Sequence, residues 1–189
     1  MNYIVLKQQT QRLNNYSVAP IREKDILSIK EWRNAQRDVL RQKRKLTDDD
    51  QKNYFSKSVY PLFGSSNPSQ ILFSYLLDET CIGYGGLTNI DWESKRVELS
   101  YLVDHNRIND AALYEKEFGI FISLMKKIVF DDLNFNRIFT ETYDIRPLHI
   151  STLEKNGFKL EGIMKEHIAI KDKFENSFIH GFTRRYYHA

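Results

Sequence analysis

Leu153-Glu154-Lys155-Asn156-Gly157-Phe158-Lys159-Leu160-Glu161-Gly162 is the stretch on which the fold turns. Its first residues close a short helix that Pro147 opens at the first helical position, and Gly157 stands just past the end. A glycine takes the left-handed conformation at little cost, which lets Phe158 fold back onto the helix it leaves. The stretch therefore predicts helix, cap and return. A strand at residues 137–143 precedes it. Two strands follow, at 164–170 and 174–183, joined by Lys171-Asp172-Lys173.

The pattern continues toward the N-terminus. The long helix expected at 111–131 carries an apolar stripe of Tyr114, Phe118, Phe121, Met125 and Ile128, at steps of four and three. Three strands precede it, at 71–77, 81–89 and 96–103, with turns at Asp78-Glu79 and at 91–95. Thr47 reads as an N-cap with Asp48, Asp49 and Asp50 in the first turn. Residues 25–33 place Ile26, Leu27, Ile29 and Trp32 at helical spacing, and 16–22 form a first strand ending near Pro20. The order β-α-α-β-β-β-α-β-α-β-β predicts an α/β (α+β) domain around one mixed, twisted sheet. Residues 1–15 read as an N-terminal extension and 16–189 as the domain.

Composition narrows the function classes. Of 189 residues 41% are hydrophobic and 13% aromatic, enough to bury a core and too many for a disordered chain. The balance of 28 Lys and Arg against 25 Asp and Glu leaves +3, which suits an anionic small molecule as well as nucleic acid. The single cysteine, Cys81, closes no intramolecular disulfide, so the chain reads as cytoplasmic. Lys126 and Lys127 interrupt the longest apolar run, so no membrane span is expected. The 5 His are not at metal-ligand spacing, and no metal is expected.

The strand order and the 153–162 stretch resemble the GNAT superfamily of acyl-CoA N-acyltransferases. Leu133-Asn134-Phe135-Asn136-Arg137-Ile138 and then Glu141-Thr142-Tyr143 look like that family's helix-to-strand passage. Cys81-Ile82-Gly83-Tyr84-Gly85-Gly86-Leu87 and Val97-Glu98-Leu99-Ser100-Tyr101-Leu102-Val103 are similar to its central strands. The resemblance implies a single GNAT-like domain and N-acetyl transfer from acetyl-CoA to a primary amine. It also implies that the backbone of Leu102 and Val103 meets the pantetheine arm, and that the start of the long helix holds the pyrophosphate.

That helix start, His105-Asn106-Arg107-Ile108-Asn109-Asp110-Ala111-Ala112, has no glycine. Asp110 sits where a cap would compete with a phosphate, and Arg107 offers a direct phosphate contact or a solvated charge. Leu153 occupies the position where many family members carry a tyrosine acid. The cofactor candidates are thus Leu102, Val103, Arg107, Asp110, Ala111 and Arg146, the last an uncapped helix start beside a phosphate or a partner of Asp144. Glu98 is a candidate base, with an ion pair to Arg96 or a nearby lysine as the alternative; Glu141 is a second candidate base, and Tyr143 is a candidate proton donor or a core aromatic.

A narrower resemblance lies in Glu31-Trp32-Arg33-Asn34, Val39-Leu40-Arg41-Gln42, Leu46-Thr47 and Gln51, similar to acetyltransferases acting on amino-sugar nucleotides, that of the pseudaminic-acid pathway among them. It implies an amino sugar on a nucleotide carrier as acceptor, with Arg33, Arg41 and Gln42 on the substrate and the arginine forks on its diphosphate. No aromatic lies between Trp32 and Tyr54 to make the basic run a nucleic-acid surface. The ribosomal-protein N-terminal acetyltransferases share the later motifs. Acetylation of a protein N-terminus and a non-catalytic CoA- or nucleotide-binding module are therefore the alternatives, and a homodimer stays open.

Overall fold

The computed structural model describes residues 2–187. An open eight-stranded sheet runs β1-β2-β3-β4-β5-β6-β8-β7. Its strands are β1 (Gln11–Leu13), β2 (Tyr16–Pro20), β3 (Ile71–Leu77), β4 (Thr80–Asp91), β5 (Arg96–Val103), β6 (Arg137–Tyr143), β7 (Lys159–Ile170) and β8 (Lys173–Thr183). The helices are α1 (Ile26–Ala35), α2 (Asp48–Tyr54), α3 (Ala111–Lys127), α4 (Pro147–Lys155) and the terminal turn α5 (Arg184–Tyr187). Neighbours pair antiparallel except β5 and β6, which run parallel. The mixed α/β reading therefore holds. Among the described residues no helix is long and apolar enough to cross a membrane.

Local chemistry accounts for the boundaries. Thr47 and Asp50 form a reciprocal capping box that starts α2. Asp110 caps α3 by accepting from the Leu113 N–H at 3.0 Å. Asp78 and Glu79 both take positive φ, the conformation of a tight hairpin turn. Gly157 has φ +85° after α4, and the Phe158 N–H donates back to Leu153 O at 3.1 Å.

Phe118, Phe121 and Met125 of α3 are wholly buried, and Phe121 packs edge-on against Tyr75 of β3. The first residues, read as an extension, belong to this core. Tyr3 is fully buried, its hydroxyl accepts from the Leu72 N–H at 2.9 Å, and β1 adds a strand beside β2. The β7–β8 hairpin is longer than the sequence indicated, because β7 begins at Lys159 directly after the helix cap. Helix α3 stops at Lys127 and passes into a wider turn, Ile128–Asp132.

Candidate active site

The parallel strands pair at three positions only, Arg96 with Arg137, Val97 with Ile138 and Glu98 with Phe139. Beyond them β5 stays with β4 as far as Val103, and β6 stays with β8 as far as Tyr143. The two strands thus separate, and their inner edges face a gap. The Asp104 N–H donates to Ile82 O at 2.8 Å. Antiparallel alternation then turns the main-chain groups of Leu102 into the β4 ladder and those of Tyr101 and Val103 into the gap. The expectation for Leu102 is corrected on this point. Val103 O already accepts from Gln36 Nε2 at 2.8 Å.

Two clefts open along this gap. One, of about 300 Å³, is lined by Arg33, Arg41, Glu98, Tyr101, Glu141 and Tyr143 among others. The other, of about 500 Å³, runs from Asn34–Val39 across Ile108 and Tyr114 to Arg146 and His149. They share Val39, Arg146 and His149. The hydroxyls of Tyr101, Thr140 and Thr142, in the wall of the smaller cleft, are buried without a partner among the described residues. Buried polar atoms left so are costly. Together with the unpaired strand edges they fit a ligand that brings its own amides and carbonyls, as the pantetheine arm of CoA does.

The carboxylates converge at the floor of the smaller cleft. Glu98 is 7% exposed, and the Asn89 amide, held at a bulge with φ 48°, donates to it. Arg41 donates to Glu98 Oε1 at 3.1 Å and to Glu141 Oε2 at 2.6 Å. Burial works against the guanidinium charge, but the two carboxylates outweigh it and raise the Arg41 pKa. Glu98 therefore finds its ion-pair partner in Arg41, while Arg96 binds Asp91. Tyr143 is buried beside them. Burial raises its pKa, with Arg41 opposing.

The other expected acceptor residues build the segment that carries Arg41. Arg33 Nε donates to Gln42 Oε1 at 3.0 Å, and its fork also reaches the Tyr84 hydroxyl. Gln42 Nε2 in turn donates to Asn34 Oδ1 and to Arg44 O, both at 2.9 Å.

At the start of α3 the expected phosphate residues are occupied internally. Arg107 Nε donates to Glu117 Oε2 at 2.8 Å, and its second nitrogen reaches the other oxygen of this wholly buried carboxylate. An unpaired carboxylate at that depth is strongly unfavourable, so Arg107 is held inward as its counter-ion. Asp110 caps the helix, and Ala111 is its exposed first residue. Glu117 was not singled out in the sequence, although its place three residues after Tyr114 and four before Phe121, on the apolar face, is the signal that marks it.

Arg146 makes no pair with Asp144, whose carboxylate accepts from Asn176. Instead Arg146 Nη2 donates to the Tyr114 hydroxyl at 3.2 Å, and that hydroxyl lies 2.7 Å from His149 Nδ1. Neither Tyr114 nor His149 was singled out as a site residue in the sequence. The β7–β8 hairpin also reaches the cleft, with His167 Nε2 3.6 Å from Glu141 Oε1 and Lys171 paired with Asp38.

The family model of the acetyltransferase (GNAT) domain matches residues 18–178. The spermidine N-acetyltransferase from Vibrio cholerae, solved in complex with CoA and spermine, has TM-score 0.79 at 13% identity, over 94% of this chain and 100% of that one. A probable acetyltransferase of the GNAT family from Chromobacterium violaceum has TM-score 0.76 at 11% identity, over 96% of this chain and 89% of that one. Identities this low carry the fold and nothing finer. None of the curated proteins matches the chain.

Proposed function

The chain belongs to the GNAT acetyltransferase family, and on that premise we propose that it acetylates a small primary amine whose ammonium docks between Glu98 and Glu141. It is an acyl-CoA-dependent N-acyltransferase, and acetyl-CoA supplies an acetyl group already activated as a thioester. The observation that carries the acceptor reading is the Arg41 bridge, in which carboxylates from two strands turn onto one cation. A cation of the chain itself stands where a substrate ammonium fits. Glu98, buried and fixed by Asn89, takes the proton of the docked ammonium directly or through one water and frees the nitrogen lone pair. Gln36, Val103 and the edge of β5 flank the donor's arm, and Arg146 stands at the α4 start near the larger cleft's wall.

A polyamine is an amine of this kind, and the spermidine N-acetyltransferase fold supports that choice. An amino sugar on a nucleotide carrier is the second reading, because Arg37 lines the larger cleft and offers a cation for a diphosphate. Its weakness is that Arg33 and Arg41 are turned inward. Thiol release from acetyl-CoA, measured with spermidine, a nucleotide-linked amino sugar and a peptide N-terminus, separates the readings. The highest kcat/KM is expected with the polyamine. Turnover with the sugar nucleotide alone or the peptide alone replaces that reading, and no turnover with any amine removes it.

A further inference from the structure

Helix α4 lacks a tyrosine at Leu153, and Leu153 is wholly buried. One turn earlier, on the same helix face, stands His149, four residues away as such a pair requires. Its ring stacks on Phe118 at 4.2 Å between centroids and lines both clefts, at the place where they join. Donor and acceptor must meet at that junction.

The hydrogen bonds fix which ring nitrogen bears the proton. A guanidinium only donates, so the Tyr114 oxygen accepts from Arg146. The Tyr114 proton has no other acceptor among the described residues, which assigns it to His149 Nδ1, 2.7 Å away. The neutral ring therefore carries its hydrogen on Nε2, and no other hydrogen bond reaches the ring among the described residues. The titratable and charged groups facing it are Tyr114 on α3, Arg146 at the N-cap of α4 and His180 on β8. Burial first, then Arg146 and His180, hold its pKa well below the usual histidine value, so the ring is neutral at neutral pH.

We propose that His149 is a catalytic residue of the transfer, whose Nε2–H donates a hydrogen bond to the negative charge that develops on the thioester, with Tyr114 as the residue that positions it. This rests on the acyl-transfer reading above. In the step, the amine lone pair forms the C–N bond, and the C–S bond breaks with its electron pair left on sulfur. Glu98, having passed the ammonium's proton on to solvent, takes the second proton that the nitrogen sheds as the amide forms, and the sulfur leaves as the CoA thiolate. His149 exchanges no proton. It stabilises charge as a fixed neutral donor, which needs no reorganisation when the charge appears.

The tautomer is read first, by ¹⁵N NMR of the free protein. The Nε2–H form is expected in the wild type, and a mixture of tautomers in Tyr114→Phe. A wild-type ring protonated on Nδ1, or doubly protonated at pH 7, overturns the proposal. In steady-state kinetics His149→Ala is expected to lower kcat by about 10²–10³ while the KM for acetyl-CoA stays within about twofold. His149→Gln, which retains an N–H donor, is expected to recover part of the loss and guards against a folding defect. A wild type that turns over beside a His149→Ala variant with unchanged kcat overturns the role of the ring alone. A wild type that cleaves no thioester with any amine overturns the proposed function and this role with it.

Discussion

Arg41 keeps a side chain 54% exposed, yet it is the counter-ion of a Glu98 side chain only 9% exposed. Breaking such a pair costs more than the pair contributes, because the buried carboxylate is left uncompensated. Arg41→Ala also leaves two carboxylates facing one another, and like charges resist joint ionisation. For a cationic acceptor KM is expected to fall, since a competing cation has gone, with the KM for acetyl-CoA unchanged. An acceptor KM that rises instead assigns Arg41 to an anionic group of the substrate, as a nucleotide carrier requires. Glu98→Gln keeps the shape and removes the base, and is expected to lower kcat by about 10²–10⁴. Glu98 and Glu141 were legible as candidates because strand alternation places them without knowledge of any partner. Arg41 as their shared partner was not, since it comes from a loop 57 residues before Glu98 and 100 before Glu141.

At the scale of elements, the end of α3 is secured by one lysine. Lys126 Nζ donates to Asn156 O at 2.6 Å, just past α4, and lies 3.6 Å from the centre of the Phe182 ring. Burial pushes its pKa down from 10.5 to about 8. The unfolded chain then holds this proton to higher pH than the folded one, so stability rises with pH between about 8 and 10.5. The melting temperature of the wild type relative to Lys126→Met is expected to climb through that window and to be level below it. A flat difference across the window refutes the assignment. Elements were legible where local chemistry ends them. Strand β3 came out at its observed bounds, with the Asp78-Glu79 turn closing it, and α4 between Pro147 and Gly157 did so within a residue. The first half of β7 was missed because it lies at the sheet edge with Leu160 and Ile163 facing solvent, and its register slips between Leu160 and Gly162. Tyr3 was missed because its partner lies 69 residues away, beyond any periodicity.

For the molecule as a whole, ligand binding and folding are linked. A ligand at a hundredfold excess over its Kd adds about 2.7 kcal/mol. At about 2–4 °C per kcal/mol for a chain of this size, saturating acetyl-CoA is expected to raise the melting temperature by about 5–10 °C. Calorimetry or a dye-based melt reads this directly, and an unmoved transition removes acetyl-CoA as the donor. The overall layering was legible because the helices are amphipathic and the strands are bounded by turns. The placement of the site within it depends on how far β5 and β6 stay together, which no local pattern encodes.

The seam between β5 and β6 is also a boundary in time. A ribosome delivers β1 to β5 in the order in which they lie side by side, so this wall of the site can assemble as it emerges. The other wall is delivered out of order. Strand β6 has β5 on one side, but its second neighbour is β8, made almost last. A nascent chain that has finished β6 holds Glu98, Arg41 and Glu141 but lacks Arg146 and His149, which line both clefts, and β8, which pairs with β6 along its length. A chain truncated before β8 keeps every acidic residue of the site and loses the strand that pairs with β6 from Arg137 to Tyr143.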